Sequence, residues 1–368
     1  MKTLAYFYQK EREIKERGER VIGLTLTSPT FPPLPLKEKV LRLLPQSFSY
    51  SLSGGNLNLR ETLANFYSKR WKIKLSKENV FIGNGGKEIL FILLNLILKD
   101  GGEVIIISPY WSSYPRIVTR TNGNFKIFKT LEKDNFYPNV ESLVKEINKK
   151  TKAIIINTPN NPTGKILREK EIKFLAEIVK KKNILLISDE VYEIYDFEGL
   201  YCSFLRYFSK NIFCVFSASK IFSMCGWRLG WCFGDPKLIE EMKDYQADLS
   251  TSPHTLSQLV VNEILNDKNL QKYLEKNREL AKERRDMAVD FFSKKRIDFI
   301  FPEGGIALFV KIPQRFKKAS QFAKILLERE RVSVAPGEIF GEEKFFRINL
   351  AVNIEDLKEG LRRIAKFY

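Results

Sequence analysis

Four short stretches of this chain hold residue types that do chemistry, and each directly follows an apolar run. One of them, Ser217 to Gly230, reads SASKIFSMCGWRLG. It sets a single lysine, Lys220, among small residues, with Arg228 further on between Trp227 and Leu229. The chain has 62 Lys and Arg residues, and most lie in solvated runs such as Lys180-Lys181-Lys182. Lys220 does not. A desolvated amine can attack an aldehyde and form a Schiff base. The plain alternative is a lysine whose charged end snorkels out of a loop. Ser217, Ser219 and Arg228 are good phosphate ligands.

The second stretch is Gly83-Asn84-Gly85-Gly86-Lys87, between a strand pattern and a helix pattern. Glycines there let backbone N–H groups approach an anion, and the helix dipole favours it. A strand-to-helix turn also uses glycine for its own sake. The third is NTPNNPTG, Asn157 to Gly164. Its prolines fix the backbone and can hold a cis bond, which would keep Asn161 rigid at the sheet edge. A plain turn accounts for Asn, Pro and Gly, but not for so many straight after a core strand. The fourth is ISDEVY, Ile187 to Tyr192, where Asp189 ends an apolar strand. A carboxylate there needs a partner charge or serves as a helix N-cap. Together the four offer an anion cradle, a carboxylate for a pyridine nitrogen, a donor for a phenolic oxygen and a lysine for an aldehyde. Pyridoxal phosphate requires that set.

Val80 to Ile82, Val104 to Ile107, Ala153 to Ile156, Ile184 to Ile187 and Ile212 to Phe216 read as buried strands. Helical spacing separates several of them, at Lys87 to Leu98, Val140 to Asn148 and Glu169 to Lys182. The alternation predicts an α/β fold, a mostly parallel sheet covered on both faces. Ligands bind such sheets beyond the carboxyl ends of the strands, where the four stretches lie. After about residue 265 come a long charged helix and shorter elements, which predict a smaller α+β domain. The expected division is 1–35 as an N-terminal arm and part of the small domain, 36–270 as a large cofactor-binding domain, and 271–368 as the small C-terminal domain.

At 368 residues the chain suits roughly two domains. Its 44% apolar content allows a large core and argues against disorder. The longest apolar run, Ile89 to Leu98, falls short of the ~20 residues a bilayer span needs. The N-terminus turns charged within its first ten residues and lacks a signal-peptide core, so the expected location is cytoplasmic. Cys202, Cys214, Cys225 and Cys232 form no CxxC pair, and His254 is the single histidine. A Cys/His zinc site and a Ser-His-Asp triad are therefore not expected, and reduced, mostly buried thiols are. The net charge of +18 suggests anionic partners. The basic residues are mixed with 44 acidic ones, often with acids early and lysines late in a helix. That pattern describes a solvated surface, with neither nucleic acid nor membrane as partner.

The motifs YSLSGGNLNLR (Tyr50 to Arg60), GNGGKE, SPYWSSYP (Ser108 to Pro115), NNPTGK, SDEVY, SASKIFSMCGWRLG, PEGG (Pro302 to Gly305), APG (Ala335 to Gly337) and FRINLA (Phe346 to Ala351) follow one another along the chain. In them, from Leu24 to the C-terminus, the chain resembles the fold-type I, class I/II aminotransferases. The resemblance implies a seven-stranded sheet sandwiched by helices. It implies transfer of an amino group between an amino acid and a 2-oxo acid, by a ping-pong aldimine/ketimine mechanism on pyridoxal 5′-phosphate. Lys220 would be the Schiff-base lysine and then the base at Cα, with Asp189 and Tyr192 completing the catalytic set. Asp189 would pair with the pyridine N–H, and Asn161 and Tyr192 would bind the phenolic oxygen. Trp111 would stack on the ring and border the substrate. Backbone N–H groups of Gly85, Gly86 and Lys87, with Ser217, Ser219 and Arg228, would hold the phosphate. Tyr50 matches a tyrosine that reaches the neighbouring subunit's phosphate, implying a homodimer with shared active sites. Arg347 would grip the substrate α-carboxylate, helped by Asn161.

The family's N-terminal G-x-P-D-F pattern places a glycine near the substrate. This chain reads Thr27-Ser28-Pro29-Thr30-Phe31, so Thr27 stands there and a narrower or more polar pocket is expected. In the branch with aspartate and prephenate aminotransferases, lysine after the paired glycines contacts the distal carboxylate of acidic substrates. Lys87 holds that position, although a helix-start lysine can serve through its backbone alone. Aromatic or broad specificity is the alternative, and so is a lyase or decarboxylase of the same fold. A regulator that binds DNA through an added winged helix is not expected, because few residues precede Leu24.

Overall fold

The computed structural model describes residues 4–32 and 34–368; residues 1–3 and Pro33 of the expected arm lie outside the described residues. The described strands are β1 (Ile22–Gly23), β2 (Val80–Gly83), β3 (Glu103–Ser108), β4 (Asn124–Lys129), β5 (Thr151–Asn157), β6 (Leu185–Asp189), β7 (Ile212–Ser217), β8 (Gly230–Phe233), β9 (Phe299–Ile300), β10 (Ala307–Lys311), β11 (Val332–Ser333), β12 (Ala335–Pro336) and β13 (Phe345–Asn349). Seven of them form one sheet in the order β2-β8-β7-β6-β5-β3-β4. From β7 to β4 every neighbouring pair is parallel, while β8 runs antiparallel to both β7 and β2.

The apolar runs form the centre of this sheet because both of their faces are covered. Ile154, Ile156, Leu186 and Phe216 point to one layer, packed with Leu59, Leu63 and Leu175. Their neighbours Ile155, Ile187 and Val215 point to the other, packed with Ile89 and Leu93 of helix Gly86–Ile97. All five predicted strands are present. The sheet adds β4 and β8, which the pattern did not reveal. Strand β4 (NFKIFK) lies at an edge and is partly exposed, so its apolar signal is diluted. Strand β8 has only four residues, directly after the Arg228 corner.

A second, antiparallel sheet has the order β12-β13-β10-β9. Helices Ala319–Glu330 and Ile354–Ala365 pack against it through Phe322, Leu326, Leu357 and Leu361, which meet Phe346 and Ile348. Strand β1 pairs in parallel with β11, and Phe7 of helix Leu4–Glu16 enters the same apolar cluster. Among the described residues, no helix is long and apolar enough to cross a membrane.

Candidate active site

The carboxyl ends of β5, β6 and β7 and the turn after β2 meet at a cavity of about 350 Å³. The turn is shaped by glycine. Gly85 has φ +88° and ψ 161°, a region that only glycine occupies cheaply. A Cβ on it would lie 2.4 Å from Arg228 Nη2. On the sheet side, a Cβ on Gly230 would lie 2.7 Å from the Gly86 nitrogen, so β8 presses directly on the turn. Arg228 donates from Nη1 to the Cys225 carbonyl (3.0 Å) and from Nη2 to the Asn84 carbonyl (3.2 Å). Its guanidinium is thus pinned beside the start of helix Gly86–Ile97, whose first N–H groups have no acceptor within the helix. Ser217 and Ser219 stand in the same wall. This arrangement suits a phosphate.

Asp189, at the end of β6, is buried and faces the cavity. Tyr114 Oη donates to its Oδ2 at 2.5 Å, and the Val191 N–H reaches Oδ1 at 3.4 Å. Burial pushes its pKa up to about 6, against the pull of the Tyr114 bond, the Val191 N–H and the Lys220 charge. It caps no helix, because a turn follows it. Asn157 braces two of the stretches. Its Nδ2 donates to the Asp189 carbonyl (2.8 Å), and its Oδ1 accepts from the Asn161 N–H (2.7 Å). Both X–Pro bonds of NTPNNPTG are cis. Behind β6, Glu190 accepts from the Phe204 N–H (3.1 Å) and the Tyr201 hydroxyl, and burial pushes its carboxyl up to about 7. Arg70 pairs with Glu193 at 2.9 Å. These buried contacts hold the turn that carries Tyr192.

Lys220 sits just past β7, in the short helix Ala218–Ile221. Tyr195 Oη donates to its carbonyl at 2.9 Å. Its Nζ donates to the Thr27 carbonyl and lies 3.7 Å from Cys225 Sγ. Tyr192 Oη accepts from Asn161 Nδ2 (3.3 Å) and donates to Thr27 Oγ1 (3.4 Å). Asn161 Oδ1 in turn accepts from Arg347 Nη1 at 2.9 Å, and Arg347 Nη2 donates to the Thr25 carbonyl at 2.6 Å. Arg347, on β13, is only 2% exposed, and its Nε has no hydrogen-bond partner. Burial pushes its pKa down to about 10. It stands behind Asn161 rather than in the cavity wall. A buried guanidinium that pairs with no carboxylate of the described residues is costly, and a substrate carboxylate would complement it.

Lys87 and Trp111 form the remaining wall, with Lys87 Nζ 5.1 Å from the Trp111 ring centre. Burial, with Arg116 and Arg228 nearby, pushes the Lys87 pKa down. Thr27 also lines the cavity. Tyr50 does not; it is 85% exposed on the surface. The sequence does not reveal the tasks of Tyr114, Asn157 and Cys225. Tyr114 lies within SPYWSSYP and Asn157 within NTPNNPTG, which mark their place but not their task. Cys225 reads as another buried thiol until the fold brings it beside Lys220.

Pyridoxal phosphate fits these residues. A cradle that any Cβ at Gly85 would fill holds a guanidinium, a buried carboxylate faces the cavity, and a lysine amine reaches into it. Comparisons with known proteins agree. The family model "Aminotransferase class I and II" matches residues 21–364. An aspartate aminotransferase of Thermotoga maritima is 33% identical over 97% of this chain and 94% of its own length. An aspartate/prephenate aminotransferase of Thermus thermophilus is 31% identical over 97% of this chain and 93% of its own. The solved aspartate aminotransferase from Thermus thermophilus with maleate superposes with a TM-score of 0.96 at 30% identity, covering 100% of this chain and 97% of that one. An aromatic aminotransferase from Pyrococcus horikoshii superposes with a TM-score of 0.90 at 30% identity, covering 97% and 98%. In sequence, in fold and in the lining of its cavity, the chain belongs to the class I and II aminotransferases, transaminases that work with pyridoxal 5′-phosphate.

Proposed function

We propose that this aminotransferase takes an acidic amino acid, aspartate foremost, as donor and a 2-oxo acid as acceptor. The observation that carries the choice is Lys87, an ammonium at the cavity wall over Trp111. It can meet a second carboxylate while Arg347 and Asn161 take the first. The likeness to aspartate and aspartate/prephenate aminotransferases supports the same reading. The aromatic alternative draws its support from the Pyrococcus horikoshii likeness.

When bound, pyridoxal phosphate supplies an electrophilic carbon for the amino group and a ring that takes up the electrons left on Cα. The chain's own groups do the rest. Lys220 Nζ would hold the cofactor at its aldehyde carbon and, when free, would move the proton at the substrate Cα. Asp189 would pair with the ring nitrogen. Asn161 and Tyr192 would hold the phenolic oxygen, and Trp111 would pack against the ring. The Gly85-Gly86-Lys87 backbone, Ser217, Ser219 and Arg228 would hold the phosphate.

The proposal includes a homodimer in which Tyr50 of one copy reaches the other's phosphate. Its exposure, with that of Phe48 at 83%, supports this. It also includes the division into 1–35, 36–270 and 271–368, supported by the two separate sheets and the β1–β11 pairing. A cytoplasmic location is supported by four unpaired cysteines.

Each amino acid offered to the cofactor-loaded protein tests the substrate choice through bleaching of the cofactor's absorbance. Aspartate and glutamate should bleach it fastest. Lys87→Ala should slow aspartate about 10- to 100-fold, the scale of a hydrogen bond to a charged group, and leave phenylalanine unchanged. Equal rates for phenylalanine and aspartate would refute the acidic reading, and no response to any amino acid would favour a lyase. Borohydride should fix the cofactor to the wild-type chain and not to Lys220→Ala.

A further inference from the structure

We propose that the Thr27 side chain is a specificity-determining residue that sets the size limit of the substrate pocket. The side chain lines the cavity with Oγ1 beside Tyr192, and the bulk it adds there would leave room for short side chains and turn away aromatic rings. The inference rests on the reading of Lys220 as the imine-forming lysine.

Three observations carry it. First, Thr27 lines the cavity, where its carbonyl meets Lys220 and its hydroxyl meets Tyr192. The Lys220 amine donates to its carbonyl, and Tyr192 Oη lies 3.4 Å from its Oγ1. A substrate Cα within reach of Lys220 Nζ is therefore also within reach of Thr27. Bulk beyond Cβ competes with the Thr27 side chain for room. Second, Thr27 cannot readily retreat, because the segment around it is tied down on both sides. The Asn349 N–H donates to the Leu24 carbonyl (2.9 Å), Thr25 Oγ1 to Ser333 Oγ (2.9 Å), and the Thr30 N–H to the Ala351 carbonyl (3.0 Å). Third, Arg347 donates to the Thr25 carbonyl at 2.6 Å, two residues from Thr27. Arg347, the proposed carboxylate-binding group, is thus hydrogen-bonded to the same segment that carries Thr27. A glycine at this position would keep the carbonyl for Lys220 and give up the filled volume.

The test compares Thr27→Gly, Thr27→Ser and Thr27→Val with the wild type, all loaded with pyridoxal phosphate. Two unreactive acids serve as probes, maleate for a short diacid and 3-phenylpropionate for an aromatic side chain. Their dissociation constants are read from the cofactor's absorbance, without turnover. Thr27→Gly should strengthen 3-phenylpropionate relative to maleate by about tenfold or more, the scale of one or two groups in an apolar pocket. Thr27→Ser, which lacks the methyl, should move in the same direction. Thr27→Val, which keeps the shape, should discriminate like the wild type. Wild-type discrimination in both the Gly and Ser variants would overturn the proposal. So would a Val variant as permissive as Gly, because the hydroxyl rather than the filled volume would then decide. Loss of the borohydride-fixed adduct in the wild type would instead defeat the reading of Lys220, and the two failures are distinguishable.

Discussion

Asp189 shows how one residue is tuned by opposing forces. Burial lifts its pKa to about 6, and the Tyr114 hydroxyl, at 2.5 Å, pulls it back down. An unfolded aspartate titrates near 3.8. As pH rises from about 4 to 6, the unfolded chain releases this proton first. The group therefore costs the cofactor-free protein stability across that window, and the cost is constant above it. A pyridinium placed against the carboxylate reverses the preference, because it favours the charged form. Tyr114→Phe removes the one side-chain donor to Asp189 among the described residues. Its pKa should rise further, and the destabilising window should extend to higher pH. Cofactor affinity should fall about 10- to 100-fold, the scale of a hydrogen bond to a charged group, with the larger loss at pH 6 than at pH 7. Titration of the cofactor-free variant with pyridoxal phosphate at the two pH values checks this. A wild-type profile would show that Tyr114 only fills space.

At the scale of elements, the cradle depends on three backbones meeting closely: the turn after β2, the Arg228 corner and strand β8. Gly85→Ala would put a Cβ 2.4 Å from Arg228 Nη2, in a backbone conformation that costs an L-residue about 1–3 kcal/mol. The guanidinium is the end of a flexible side chain and can move, so the fold should survive. Cofactor binding should weaken at least tenfold, and inorganic phosphate should compete less well for the site. Gly230→Ala differs, because its Cβ would meet backbone atoms, Gly86 N at 2.7 Å and Phe216 O at 3.0 Å. Neither can yield without moving a strand or the helix start. Its melting temperature should drop by several degrees more than that of Gly85→Ala, measured on both cofactor-free proteins. Equal melting temperatures would show that β8 is not the rigid backing of the cradle.

At the scale of the molecule, apolar side chains crowd one exposed stretch: Leu41, Leu44, Phe48, Tyr50, Leu52 and Leu57. Monomeric proteins rarely leave such a concentration uncovered. Sedimentation should give twice the 42.9 kDa chain mass. Leu41→Glu with Phe48→Glu should shift the protein to monomers and weaken cofactor binding through loss of the partner's tyrosine. A monomeric wild type with full cofactor affinity would remove both the dimer and the role of Tyr50. The segment from Leu24 to Thr30 acts at the same scale. It hydrogen-bonds to residues on the β11 and β13 side while Thr27 touches Lys220 and Tyr192 on the large sheet.

Much of this could be read from the chain, and for a local reason. The strands β5, β6 and β7 are buried on both faces, so they appear as unbroken apolar runs. The residues that do chemistry come immediately after them, where a parallel sheet must place its site. The core strands and the cofactor class are therefore encoded over short distances. Edge strand β4, half exposed, and the four-residue β8 left too weak a pattern to be seen. Tertiary structure alone decided what depends on distant segments meeting. Tyr114 reaches Asp189 across 75 residues, Arg347 reaches Asn161 across 186, and Thr27 reaches Lys220 across 193. No local pattern records such contacts, because each is set by the packing of whole elements.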